Sequence, residues 1–165
     1  MEGDWLRIRP ARLDTPADAD AVVALLDAYA SDPMGGGVPL PDAVKARLVT
    51  ALRAVPNHLV LLAFDEGQAV GIAVCFQGLS TFRARPVLNI HDLAVLPSHR
   101  GRGVGHALLS AVEAEARARG CCKLTLEVRE DNPVAAGLYL GLGFAPGGAE
   151  GTPVPHRFLE KRLTE

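Results

Sequence analysis

At 165 residues, with 48% hydrophobic and 22% charged side chains, the chain has the size and balance of one globular domain. A net charge of −2 speaks against a general polyanion binder, so no nucleic acid is expected as a partner. No apolar run approaches the roughly 18 residues a membrane span needs, and Met1-Glu2-Gly3-Asp4-Trp5 lacks the basic-then-apolar profile of a secretory signal. The expected setting is therefore the cytoplasm. The three cysteines, Cys75, Cys121 and Cys122, form no CxxC pair and read as idle thiols in a reducing compartment.

In chain order, Trp5-Leu6-Arg7-Ile8-Arg9 alternates as a first strand ended by Pro10. Thr15 as N-cap, Pro16 at the first helical position and Asp18 in the first turn then predict a helix. Its face is Val22, Leu25, Leu26 and Tyr29. Gly35-Gly36-Gly37 reads as a flexible joint. Pro41 opens a second helix, with Val44, Leu48, Leu52 and Val55 on one face, and Pro56 closes it. Leu59 to Phe64 and Ala69 to Phe76 are apolar strands joined across Asp65-Glu66-Gly67, a hairpin signal. Val87 to Val95 is the next strand.

Gly103 to Arg119 is rich in alanine, leucine and glutamate, lacks proline and meets Gly120, which predicts a helix. Val104, Ala107, Leu108, Ala111 and Ala118 form its apolar side, interrupted by Glu115. Lys123 to Val128 is expected as a strand, Pro133 to Leu142 as a short helix and Arg157 to Leu163 as a final strand. Strands interleaved with helices predict an α/β fold, a mixed sheet covered on both faces. No linker or repeat interrupts residues 1–165, so a single domain is expected.

The most informative segment runs from His91 to Gly105: a strand, a proline-containing turn, then closely spaced glycines at a helix start. Successive backbone N–H groups there, with the free amides of the first helical turn, suit an anion. Glycine lets the backbone approach a phosphate, and Arg100 and Arg102 can add charge-assisted bonds. A Walker loop is excluded because no Gly-Lys-Ser or Gly-Lys-Thr occurs. A dinucleotide fingerprint fails as well, since His106 and Leu108 stand where a third glycine is required. A turn that is glycine-rich for tight packing alone fits the same residues.

Arg100-x-x-Gly103-x-Gly105, behind the apolar Leu93-Ala94-Val95 strand, resembles the coenzyme signature of the GNAT acetyltransferases. Downstream, Asn132-x-x-Ala135-x-x-Leu138-Tyr139-x-x-x-Gly143-Phe144 is similar to that family's later motif. The resemblance implies the GNAT fold, with a V-shaped cleft between two central strands. It also implies acetyl-CoA as co-substrate, an amine acceptor and, as in many members, a homodimer. No metal is expected, because His58 and His156 have no partner at metal spacing. By the resemblance, Leu93, Ala94 and Val95 flank the pantetheine arm with main-chain hydrogen bonds. Arg100, Gly101, Arg102, Gly103, Val104 and Gly105 wrap the diphosphate. Asn132 and Ala135 lie along the coenzyme, and Tyr139 faces the thioester sulfur.

Acetyl transfer requires a deprotonated amine, a stabilised oxyanion and a protonated leaving thiolate. No Gly-x-Ser-x-Gly elbow supplies an acyl-enzyme nucleophile, so direct attack is expected, with Tyr139 as the acid. Two residues compete for the base. Glu127 looks like the position used by protein N-terminal acetyltransferases. His91 stands in a segment, Ser80-Thr81-Phe82 through Ile90-His91-Asp92-Leu93, that resembles polyamine and thialysine acetyltransferases, which carry Glu-Asp where this chain has His91-Asp92. Strand alternation sets Asn89, His91, Leu93 and Val95 on one face and Asp92 and Ala94 on the other, a parity that a bulge would overturn. Arg83 and Arg85 are solvated loop residues or border the acceptor cleft. The polyamine-like segment points to a small amine or amino-acid-like acceptor, with a protein N-terminus as an alternative and a non-catalytic acyl-CoA sensor as the rival class.

Overall fold

The computed structural model describes residues 5–147 and 157–163. The chain divides into two compact units, Met1–Arg129 and Glu130–Glu165.

The first unit is a five-stranded sheet in the order β1 (Leu6–Pro10), β2 (His58–Asp65), β3 (Gln68–Ser80), β4 (Arg85–Val95) and β5 (Leu124–Leu126). The first four strands pair antiparallel, and β5 joins β4 in parallel. The sheet is thus mixed, as predicted from the interleaving of elements. Asp65 pairs with Gln68 across Glu66 (φ 47°) and Gly67 (φ 86°), so the hairpin signal becomes a two-residue turn with both central residues left-handed.

Period-two alternation sends Val60, Leu62, Ile72 and Val74 to one face. There they meet Val22, Leu25 and Leu26 of α1 (Pro16–Ser31) and Leu52 of α2 (Asp42–Ala54). The opposite face receives α3 (Val104–Ala118). A Cβ built on Gly71 of β3 would lie 3.0 Å from both Leu108 Cδ1 and Val104 Cγ1, so glycine there permits the close approach of helix and sheet. The buried stripe of α3 is Val104, Leu108, Leu109, Val112 and Ala116. It is rotated from the expected stripe, because Leu109 and Val112 bury more apolar surface than Ala107, Ala111 or the exposed Ala118.

Asp18 is the buried charge among the described residues, at 3% exposure. Its two carboxylate oxygens accept from Arg9 Nη1 and Nη2 at 2.6 and 2.8 Å, and Oδ2 also accepts the Arg12 amide at 2.6 Å. These bonds, the Arg9 pair foremost, pull its pKa from 3.8 to about 2. A depressed native pKa means that the pair stabilises fully above about pH 4, by ~2 kcal/mol, and is lost as pH falls toward 2. Asp18→Asn should therefore lower stability at pH 7 by about 2–4 kcal/mol, since it leaves Arg9 unpaired. Urea midpoints measured from pH 7 to pH 3 check this: the deficit must shrink below pH 4, and a constant deficit would show that charge is not involved.

Three expectations are corrected. The triple glycine is not a loose joint, because the amides of Gly35, Gly36 and Gly37 all converge on the Asp32 carbonyl at 2.8, 3.1 and 3.0 Å. The fifth strand covers Leu124–Leu126 rather than Lys123 to Val128, because its pairing with β4 ends at Ile90–Leu126 and leaves the following residues without a ladder. Residues 157–163 form no strand. They are exposed and join no strand ladder among the described residues, and an unpaired segment has nothing to hold it extended.

The second unit contains α4 (Pro133–Gly141). Asn132 Oδ1 accepts the Ala135 amide at 3.1 Å and so caps its start. At its end Gly143 is left-handed (φ 88°), and the Phe144 amide returns to the Tyr139 carbonyl at 3.0 Å, closing a Schellman turn.

Candidate active site

After β4 the chain makes a 3-10 turn at Pro97–His99, then runs through Arg100–Gly103 into α3. Gly101 and Gly103 adopt φ of 72° and 87°, a region costly for residues with a Cβ. A Cβ added at either would meet nothing within 4 Å, so packing does not demand glycine there and the space beside the turn is open. The first helical bond runs from the Ala107 amide to the Gly103 carbonyl at 3.0 Å. The amides of Val104, Gly105 and His106 precede it and have no acceptor in their own helix. Backbone donors with open space before them fit a diphosphate.

The arginine side chains of this turn are otherwise engaged. Arg100 donates from Nη2 to Asp32 Oδ2 at 2.8 Å and from Nε to the Val95 carbonyl at 3.0 Å. Asp32, whose carboxyl is held below its usual range by Arg100 and then by the Met34 amide, ties the turn to the end of α1. Arg102 lies 3.4 Å from Asp65 Oδ2, with its guanidinium over the Trp5 ring at 4.3 Å. Sequence reasoning missed both aspartates, which are 68 and 37 residues away and carry no local signal.

Beside this turn the sheet splits. Asn89 Nδ2 bonds Thr125 Oγ1 at 3.0 Å and fastens β4 to β5 just before their last pair, Ile90–Leu126. Beyond it, Leu93, Ala94 and Val95 keep Ala73, Ile72 and Gly71 of β3 on one side, while on the other no strand pairs with them among the described residues. A free main-chain edge of this kind fits the pantetheine arm. His91 and Glu127 are the first residues past the vertex, one on each arm of the V, and both are exposed.

The face assignment along β4 is overturned. Val74 pairs with Asp92 and Cys75 with Ile90, so His91 is an extra residue, a bulge. Its ring packs on Phe76 at 5.3 Å, and Phe76 belongs to the face covered by α1 and α2. His91 and Asp92 therefore share that face with Asn89, whereas Leu93 and Val95 turn to the α3 side. Burial raises the Asp92 pKa, opposed in part by His91. Burial also raises that of Tyr29 on α1, with the Asp92 and Asp32 carboxylates adding to it. Arg129 acts on Tyr29 in the opposite sense, lowering its pKa. Arg85 is not at this cleft: its Nη2 bonds the Gly120 carbonyl at 3.0 Å, at the far end of α3.

Cys75 is buried and its pKa is pushed up to about 12, chiefly by burial, so no thiolate nucleophile forms there near neutral pH. In the second unit, Asn132 spends its carbonyl oxygen and Ala135 its amide on the helix cap. Tyr139 is half-buried, its ring 5.9 Å from that of Phe144.

Solved structures share this fold. An acetyltransferase from Trypanosoma brucei matches at 25% identity and a TM-score of 0.70, over 96% of this chain and 99% of that one. A ribosomal-protein-alanine N-acetyltransferase from Brucella melitensis biovar Abortus matches at 22% identity and 0.68, over 93% and 99%. An aminoglycoside N-acetyltransferase in complex with CoA matches at 20% identity and 0.72, over 98% and 96%. The model of the acetyltransferase (GNAT) family matches residues 23–144, from within α1 to the Phe144 turn, and the chain belongs to that family.

Proposed function

We propose that residues 1–165 act as one N-acetyltransferase domain that passes acetyl from acetyl-CoA directly to the primary amine of a small or amino-acid-like acceptor. The observation that carries this reading is the junction of a turn with left-handed glycines and free helix-start amides with the unpaired β4 edge that begins past His91. When bound, acetyl-CoA supplies the activated acyl group. The turn amides from Gly101 to His106 hold its diphosphate, and the main chain of Leu93 to Val95 aligns its arm. An ammonium with a pKa of about 10.4 needs a base at neutral pH. His91 or Glu127 takes that proton, directly or through one water, and Tyr139 returns a proton to the departing sulfur.

Two features favour a small cationic acceptor. The bulge brings the His91 imidazole and the Asp92 carboxyl to one face of the sheet, a polar pair that an ammonium group can meet. The segment around them resembles the polyamine and thialysine enzymes.

The test is thiol release from acetyl-CoA across a panel of diamines, amino acids, aminoglycosides and a peptide with a free N-terminus. Turnover with a small amine is expected. Turnover with the peptide alone would reassign the acceptor, and coenzyme binding without release from any amine would make the chain a sensor. His91→Gln and Glu127→Gln, assayed across pH with the best amine, separate the bases. The true base should lose the acid limb of the kcat/KM profile and about 100-fold in rate.

A further inference from the structure

The guanidinium of Arg102 occupies a built position. The residue belongs to the glycine turn, between the two left-handed glycines, yet its side chain points at another part of the sheet. Its Nη1 lies 3.4 Å from Asp65 Oδ2, in the β2–β3 turn, and its Cζ lies 4.3 Å above the Trp5 ring. The same Asp65 oxygen is 3.2 Å from His99 Nε2, and Ser98 Oγ is 2.8 Å from the other ring nitrogen of His99. Asp65 is only 15% exposed at its side chain, whereas Arg102 is 46% exposed. The carboxylate is the buried half of the pair and the arginine the exposed half.

An arginine with a mobile stem and a planar fork binds a diphosphate well, but each guanidinium N–H can serve one strong acceptor at a time. From this competition we infer that Asp65 is a positioning residue for the coenzyme, a latch that holds Arg102 against Trp5 and away from the diphosphate. The inference rests on the reading of the glycine turn as the diphosphate site. Bringing Arg102 onto the diphosphate breaks its contacts with Asp65 and Trp5, and the net affinity is lower by the strength of those contacts. The latch sets coenzyme affinity below the limit that the turn could reach, which suits an enzyme that must release its spent coenzyme each cycle.

A carboxylate that merely braced the turn would have the opposite signature, since its loss would weaken binding. The sign of the effect therefore decides. Asp65→Asn keeps the shape and a hydrogen-bond acceptor but removes the charge. It should tighten acetyl-CoA binding about 3- to 10-fold by equilibrium dialysis. In an Arg102→Ala background the same change should alter binding less than twofold, because the side chain it restrains is gone. Trp5 is the single tryptophan, so its emission reports the latch without any turnover. Saturating coenzyme should shift emission in the unaltered protein, and Asp65→Asn alone should produce part of that shift. Binding that is unchanged or weaker in Asp65→Asn overturns the latch. An equal gain in the Arg102→Ala background also overturns it, for it would mean simple long-range charge repulsion. Failure of the unaltered protein to bind acetyl-CoA would sink the coenzyme site itself, and the latch with it.

Discussion

Gly103→Val is expected to weaken acetyl-CoA binding by about 100-fold, roughly 2.7 kcal/mol, while the sheet and helices remain folded. Gly103 sits at φ 87° immediately before α3, where it serves as N-cap. Valine there is a conformational outlier, because a β-branched side chain clashes with its own backbone in the left-handed region. Two responses are open to the chain, and both harm the site. If the backbone holds, the new side chain projects into the open space that a Cβ at this position would enter. If it relaxes to negative φ, the amides at the start of α3 swing away from a common focus. Only local strain of about 1–3 kcal/mol falls on the fold, since no neighbour lies within 4 Å. Isothermal titration with acetyl-CoA, beside a thermal melt, separates the two effects. A melt that falls steeply with affinity intact would identify Gly103 as a packing glycine and remove the diphosphate from the turn.

The family motifs were legible because their signals are local. Thr15-Pro16 announces α1, Asp65-Glu66-Gly67 announces the hairpin, and the glycines between Arg100 and Gly105 announce the turn that opens α3. What escaped depends on partners distant in the chain. The His91 bulge is a property of how β4 pairs with Val74 and Cys75, and alternation within Ile90-His91-Asp92-Leu93 cannot reveal it. Simple alternation accordingly puts Asp92 and His91 on opposite faces, when they share one. The pairing of Arg100 with Asp32 and of Arg102 with Asp65 likewise has no local signal in the motif. Arg157 to Leu163 carries a strand-like pattern, yet pattern alone supplies no partner edge. The extent of a strand is set by its neighbour: β3 runs past its apolar stretch to Ser80 because Gly78 and Leu79 pair with Val87 and Pro86.

Tyr139→Phe should lower kcat by about 10- to 100-fold and leave the dissociation constant for acetyl-CoA within about twofold. The substitution removes one oxygen and keeps the ring, so the contact with Phe144 at 5.9 Å persists and α4 retains its cap at Asn132. On the proposed mechanism, the phenol acts only when the carbon–sulfur bond breaks and negative charge collects on sulfur. A hydrogen bond to a charged acceptor is worth about 1.5–3 kcal/mol, which spans that range of rates. Because the interaction exists in the transition state and not in the ground state, kcat and kcat/KM should fall by the same factor. A ground-state contact would instead raise KM with kcat unchanged. The pH dependence adds a second reading. If His91 or Glu127 is the base, the acid limb of the profile must survive in Tyr139→Phe, because the group that accepts the amine proton is untouched. A loss of the acid limb together with rate would make Tyr139 part of the proton path from the amine, and an unaltered rate would leave α4 without a catalytic group at this position.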